Sequence, residues 1–399
     1  MRKLILPISL LISLLVVAAV GATEGEPGPQ LLGPRASPER DRMLKRNGGG
    51  ARTEKGVAAG LDWLARHQES RGGWDVDGFS RHCEEGGDPC DGVGKGQHGE
   101  SVPCPFDQAI SALATLAFLG HGHLPGAEGD PYGEVVTKAL GALENPRDAW
   151  ALALSTQAFS EAAAMLGDGR YRKQAHAGAG RLLATRQKDG AWGYAAGFRP
   201  GSDVPYTALV VQALVAARDA GFELPADLPA RVNGYLTGLE ATKGKLAYLK
   251  NGRAYGYTPT TSNAHCAAAI RELLAVGLSG ARHKSHLALV ARQKPVWKIS
   301  FREVTVPGRG KIPVQVGNLT MYQWWYGTIA SFQRGGSTWS GWFGKVKSAL
   351  SKGQVKEGCA RGSFDPLGTY ERQTGGRVFA TALGVLMLEQ PYRHQRLGR

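Results

Sequence analysis

The chain predicts an all-α fold, an α/α toroid in which six inner helices are wrapped by six outer ones. Three observations carry that expectation. Apolar residues recur at helical spacing along most of the length, the helical segments alternate between two compositions, and a corner mark of Gln, Gly and Trp recurs between them. The 399 residues are 42% hydrophobic, which allows a large core and excludes a wholly disordered chain. Lys and Arg number 48 against 34 Asp and Glu, a formal charge of +14. That excess forms neither a run of four basic residues nor a basic face interleaved with aromatics, so no nucleic-acid partner is expected.

The first element reads as an export signal over residues 1–22. Arg2 and Lys3 give its positive end, Leu4–Val20 its apolar stretch, and Val20-Gly21-Ala22 a small-residue cleavage site. An exported protein follows, periplasmic or secreted, anchored to a membrane only if residues 4–20 are retained. Residues 23–52 hold Pro27, Pro29, Pro34 and Pro38, the run Gly48-Gly49-Gly50 and no apolar period, and so predict a flexible linker. The folded domain is expected over 53–393, with 394–399 as a tail.

Within that domain helical segments are predicted at about 54–67, 106–119, 132–145, 148–165, 171–187, 204–221, 227–241, 260–277, 283–293, 317–334, 339–354 and 376–389. Ile110–Leu119, Ala149–Leu166 and Tyr206–Ala217 are Ala-rich and apolar on every side, so each must be covered all round. Tyr171–Gln187 and Trp339–Gln354 carry Arg and Lys along one side and have one wet face. Six of each kind in alternation is what a double ring requires. The strand signal is confined to Lys298–Val306.

The corners follow one pattern. The first outer segment ends in Gln68-Glu69-Ser70-Arg71-Gly72-Gly73-Trp74, the third in Gln187-Lys188-Asp189-Gly190-Ala191-Trp192. Worn copies stand at Gln293 with Trp297 and at Gln354 with Gly362-Ser363-Phe364. A Gln amide can donate to carbonyls freed at a helix end, Gly accepts a left-handed turn, and an indole can cover the joint.

These marks resemble the repeats of squalene–hopene cyclases and protein prenyltransferase β subunits. The nearest likeness is to secreted bacterial proteins with prenyltransferase/squalene-oxidase repeats, a branch of unestablished activity. It rests on Leu61–Gln68 with Gly73-Trp74, Cys90-Asp91-Gly92, Leu116–Gly120, Tyr322–Thr328, Gly362–Pro366 and Gly375–Leu383, over roughly residues 54–393. The resemblance implies a terpenoid-cyclase-like toroid with its site at the central cavity. The chemistry of the named enzymes does not carry over with it. The Asp-x-Asp-Asp acid of the cyclases is missing, and Asp75-Val76-Asp77-Gly78 reads as a solvated corner loop. Asp-Asp-x-x-Asp is missing too. Asp88-Pro89-Cys90 has the spacing of the prenyltransferase zinc ligands but precedes the first inner helix, out of the family's position.

The five cysteines are Cys83, Cys90, Cys104, Cys266 and Cys359. In an exported chain a Cys83–Cys90 disulfide is expected, closing a short loop for about 2–3 kcal/mol, with Cys104 able to replace either partner. No cofactor is expected. The metal alternative is zinc on Cys83, Cys90, His98 and Cys104, with His82 in reserve. Cys266 reads as a buried small hydrophobe.

Polar residues on the inner helices are the candidates for function. His265, Asp107 and Glu161 are the catalytic candidates, with Asp107 also a helix cap. Tyr322, Trp324, Trp325, Tyr326 and Arg377 are the ligand-binding candidates, although four consecutive rings cannot share one helix face. Three functions fit. The first is a non-catalytic toroid binding a protein, peptide or apolar ligand at its cavity. The second is an enzyme on isoprenoid-like substrates, which would lose turnover on His265→Ala or Asp107→Asn. The third is a carbohydrate-active barrel with two carboxylates drawn from Asp107, Glu161 and Glu272.

Overall fold

The computed structural model describes residues 30–36, 38–83, 89–92, 106–194, 201–239, 246, 261–298, 301–306, 310–315 and 320–397. A short helix α1 (Glu39–Arg46) precedes the ring. The outer helices are α2 (Ala51–Arg66), α4 (Gly133–Ala142), α6 (Arg172–Ala184), α8 (Leu228–Gly238), α10 (Ala281–Arg292) and α12 (Gly336–Gly353). The inner ones are α3 (Asp107–His121), α5 (Ala149–Leu166), α7 (Val204–Asp219), α9 (Thr261–Leu273), α11 (Met321–Arg334) and α14 (Gly376–Arg393), with a short α13 (Thr369–Thr374) before the last.

Each inner helix packs on the next in that order, and α14 returns to pack on α3, so the ring closes. Composition explains who goes inside. Every residue of α14 is buried, as are Ala109–Gly120 of α3 and Trp150–Ala163 of α5. In α6 only Ala175, Gly178, Ala179 and Leu182 are buried, a single stripe against the ring. Asp148 and Asp203 start α5 and α7 by accepting from Ala151 N–H (2.9 Å) and Tyr206 N–H (2.7 Å). All six inner helices run the same way, so their N-termini form one end of the barrel, the mouth, and their C-termini the other, the floor. No helix among the described residues is long and apolar enough to cross a membrane.

The corner mark is an interlock between neighbouring outer helices. Gly72, Gly190 and Gly362 all have φ +93°, and a Cβ on any of them would overlap a carbonyl of the next outer helix, at Lys138, Arg231 and Ala59 respectively. Gln68 Nε2 donates to Gly72 O (2.8 Å) and to Val135 O (2.9 Å) on α4, and Gln354 Nε2 donates to Gly362 O (2.9 Å) and Gly56 O (2.7 Å) on α2. The Gln therefore bonds across to the neighbouring helix, where sequence alone assigned it only to its own helix end. Trp74 Nε1 donates to Leu64 O and Trp192 Nε1 to Leu182 O, and both indoles are buried. A partner on the inner helix went unseen in sequence: Ser111, Thr207 and Thr381 accept from the backbone N–H of Trp74, Trp192 and Phe364.

Three boundaries need correction. Residues 23–52 are not a linker throughout. Leu31 is buried, its N–H and that of Leu32 donate to Asp219, Leu32 bridges to His394, and α1 packs on α14. The expected tail is docked as far as Leu397, whose N–H donates to Gln333. The strand signal belongs to a hairpin, β1 (Phe301–Val306) antiparallel to β2 (Gly310–Gln315), with Phe301 opposite Gln315. The segment 1–22 lies outside the described residues.

Candidate functional site

The mouth carries an aromatic tier. Trp150 on α5 and Tyr322 on α11 stand on helices that face each other across the ring, and their rings meet at 5.7 Å. Tyr322 packs edge-on against Tyr326 (4.9 Å), and its hydroxyl donates to Pro205 O on α7 (3.4 Å). Trp150 Nε1 donates to the Tyr194 hydroxyl (2.6 Å), and Tyr194 stacks on Tyr206 at 5.4 Å. These rings span the lumen from α5, α7 and α11.

The floor is ionic. Arg35, from the segment before α1, reaches under the ring and donates from Nη1 to Glu161 Oε2 (2.7 Å) and to Leu119 O (2.9 Å). Arg393 Nη2 donates to both Glu161 oxygens (2.8 and 2.9 Å), and Gln157 Nε2 to one of them (2.9 Å). Burial alone would raise Glu161, yet the Arg35 and Arg393 guanidiniums beside it hold it down to about 2. Nearby Glu389 goes the other way: burial pushes it well above its ordinary value, against the pull of Arg393.

At the rim, in the corner between α2 and α3, Asp75, Asp77 and Asp107 each place a carboxyl oxygen within 4.8 Å of the others. Asp107 accepts from Val76 N–H (3.0 Å), and Asp75 accepts from Gly78 N–H and Arg81. Burial, and then the charges of Asp75 and Asp77, push Asp107 up to about 7. Burial and the shared hydrogen bond with Asp75 push Asp77 up to about 6, while that bond, Gly78 N–H and Arg81 take Asp75 down against its burial. The string read in sequence as a solvated loop thus surrounds a proton-holding carboxyl. The signal that could have found it was the proximity of a corner loop to the first residue of an inner helix.

A second cluster lies in the same corner, nearer the outer ring. His67, at the end of α2, turns Nε2 toward Cys83 Sγ (3.6 Å), Cys90 Sγ (3.7 Å) and Cys359 Sγ (3.7 Å). Its Nδ1 lies 2.8 Å from Trp63 O, and its ring stacks on the Trp63 indole at 4.3 Å. Burial lowers the His67 imidazole to about 4 and keeps it neutral, while burial pushes the Cys90 thiol up to about 12 and raises Cys83. The expected Cys83–Cys90 disulfide is not formed. Of the sequence-based zinc set, His98 and Cys104 lie outside the described residues, as does Asp88. His67 and Cys359, separated by 292 positions, are the members that no local spacing could reveal. His82 is engaged with Glu69 (2.7 Å) instead.

The remaining candidates divide. Glu161 is a floor ion held by Arg35 and Arg393. His265 packs its ring against Trp342 of α12 at 6.0 Å. Glu272 bonds His283 on α10 (2.7 Å) and leaves the carboxylate set as well. Trp324 faces Trp297 at 6.4 Å and is a packing residue, whereas Tyr322, Trp325 and Tyr326 form one aromatic group. Arg377 is held by Asp91, Ser363 (2.8 Å) and Asp365 (2.7 Å), so it clamps the corner rather than awaiting a ligand. Cys266 is buried among alanines, as its surroundings predict.

No protein-family model matches the chain, and no curated protein does. Among solved structures, the chain is similar to an inactive double Asp-to-Ala variant of the alpha-1,6-mannanase GH76A of Salegentibacter sp. HEL1_6 in complex with alpha-1,6-mannotetrose. That match has a TM-score of 0.55 and 12% identity, and covers 85% of this chain and 98% of that one. It is also similar to an Asp-to-Asn variant of a type II terpene cyclase from Scytonema in complex with its substrate, geranylgeranyl dihydroxybenzoate. There the TM-score is 0.50 and the identity 13%, over 88% of this chain and 99% of that one. At such identities the likeness is one of fold, and both neighbours are α/α toroids.

Proposed function

We propose that the protein is a carbohydrate-active toroid that takes a glycan across the mouth of the ring. In this reading Asp107, paired with Asp77, is the proton-holding acid, and the Trp150–Tyr322 tier closes the lumen beneath the sugar rings. The observation that carries it is the state of the lumen. Trp150 and Tyr322 meet across it at the mouth, and Arg35, Glu161 and Arg393 cross it at the floor. A polyisoprenoid needs a long apolar channel, and the rings that meet at the mouth and the ion pairs that cross the floor interrupt one through the lumen. A polar ligand held at the rim needs no such channel.

The chemistry would be general acid–base attack on a glycosidic bond. One carboxyl protonates the leaving oxygen and a second handles the incoming water. A carboxyl near 7 with ionised neighbours meets the first requirement at neutral pH.

The test is binding and reducing-end release on a panel of α- and β-linked mannans, glucans and galactans. Asp107→Asn should keep binding and lower turnover by about 10²–10⁴-fold. Trp150→Ala should weaken binding. Wild-type turnover should fall as pH rises through about 7, because the acid form is then lost. Stability should move in the same direction. The folded chain holds the Asp107 proton more tightly than the unfolded chain, whose ordinary value is 3.8, so this contribution is lost as pH rises from about 4 to about 7 and Asp107→Asn abolishes that slope. A mouth that ignores every glycan but binds a prenyl diphosphate, a peptide or a protein overturns the reading. Glycan binding with turnover unaffected by Asp107→Asn overturns its catalytic half.

A further inference from the structure

We propose that His67, Cys83, Cys90 and Cys359 form a structural zinc site that clasps the first corner of the ring to the last. The four donor atoms lie within 4.8 Å of one another, and the three nitrogen-to-sulfur separations are 3.6, 3.7 and 3.7 Å. A tetrahedral zinc with ordinary Zn–S and Zn–N bonds has an S···N edge of about 3.6 Å. The three nitrogen-to-sulfur edges already match those around such an ion.

Its surroundings are those of a ligand set. With its Nδ1 proton donated to Trp63 O, the imidazole presents the Nε2 lone pair to the sulfurs, which is the tautomer a metal requires. The Trp63 and Phe79 rings fix its plane from two sides. Cys90 N–H donates to Cys83 Sγ at 3.1 Å, a bond that favours the thiolate. Arg66, one residue before the histidine, donates to the Cys359 carbonyl (3.3 Å) and sets a positive charge beside a site whose three thiolates exceed the charge of one divalent ion. Four protein ligands fill a tetrahedron and leave no open position, so the ion would hold structure and perform no chemistry. On binding, each of the three thiols gives up its proton to solvent and no electrons move.

A disulfide explains less. Joining Cys83 to Cys90 would leave Cys359 and a buried, oriented imidazole without a shared purpose. Zinc uses all four. It also joins chain segments distant in sequence: the end of α2, Cys83 and Cys90, and Cys359 in the turn after α12.

The full-length chain, purified without chelator or added metal, should carry one zinc per molecule by mass spectrometry of the metals. In its folded state Cys83, Cys90 and Cys359 should resist alkylation until a chelator and denaturant are added, and then all three should react without reductant. Replacement by cobalt should give the intense visible bands of a tetrahedral thiolate complex. Cys359→Ser and His67→Ala should weaken zinc retention against a competing chelator by more than about 100-fold, while Cys266→Ser leaves it unchanged. Should the ligand variants fail to fold, metal content and alkylation of the unaltered chain decide alone. A metal-free chain with a Cys83–Cys90 or other disulfide among the three overturns the proposal, and so does stoichiometric iron in place of zinc.

Discussion

Replacing Glu161 by Gln tests the ionic floor directly. The carboxylate is fully buried and receives charge-assisted bonds from Arg35 (2.7 Å) and Arg393 (2.8 and 2.9 Å). Removing its charge leaves two buried guanidiniums with no ionised acid among them other than whatever Glu389 can supply, and Glu389 prefers its neutral form. Breaking a buried pair in this way costs about 3–5 kcal/mol. Titration gives an independent magnitude. Held at about 2 in the fold against an ordinary 4.5, Glu161 contributes on the order of 3 kcal/mol at neutral pH. Because its folded value is depressed, that contribution is present above about 4.5 and is lost as pH falls toward about 2. Urea unfolding of both chains at a series of pH values isolates it, since other carboxylates cancel in the difference. The gap should be about 3 kcal/mol at pH 7 and close by pH 2. A gap below about 1 kcal/mol at pH 7, or one constant with pH, would refute the assignment of Glu161 as an ionised floor residue.

Three further outcomes follow from the packing. Gly362→Ala should cost more than about 2 kcal/mol, because it forces a side chain onto φ +93° and into the Ala59 carbonyl, while Gly180→Ala, on an open face of α6, should gain about 0.5–1 kcal/mol by chemical denaturation. The bond after Arg35 should resist trypsin in the native protein, because that arginine is 7% exposed and committed to Glu161, whereas a flexible tether would be cut at once.

The ring was legible because its signal is repeated. Ala149–Leu166 is apolar all round and α6 carries a single stripe, and a contrast of that kind recurring six times overrides errors of a few residues at any boundary. The corner residues were legible for the same reason, although their bonding was not: that Gln68 reaches Val135 depends on which outer helix comes next in space. α1 was missed because Glu39–Arg46 is almost all charged and buries only Leu44. The polar candidates could not be ranked from sequence. His265 and Glu161 sit among buried residues on their helices, and composition cannot say which polar residue faces the lumen. The rim acids and the cysteine cluster were hidden because each is assembled from segments distant in sequence.

The position of those hidden features follows from the topology of a closed ring. In a chain of alternating inner and outer helices, every junction but one is covalently continuous, and the exception lies where α14 meets α2 and α3. There the backbone supplies no connection, so side chains must. The features gather at that seam. Gln354 bonds α12 to α2, the α2 backbone receives Gly362, and Arg377 ties Asp91 to Ser363 and Asp365. On the opposite end Arg35 and Leu31 bind the start of the chain to α5, α7 and α14. His67, Cys83, Cys90 and Cys359 draw on both sides of the same seam, where a metal would stand in for a peptide connection. The rim acids share that corner through Asp75 and Asp107, so a clasp that fixes Cys83, just beyond Asp75 and Asp77, also fixes the distance between the carboxyls proposed to share a proton.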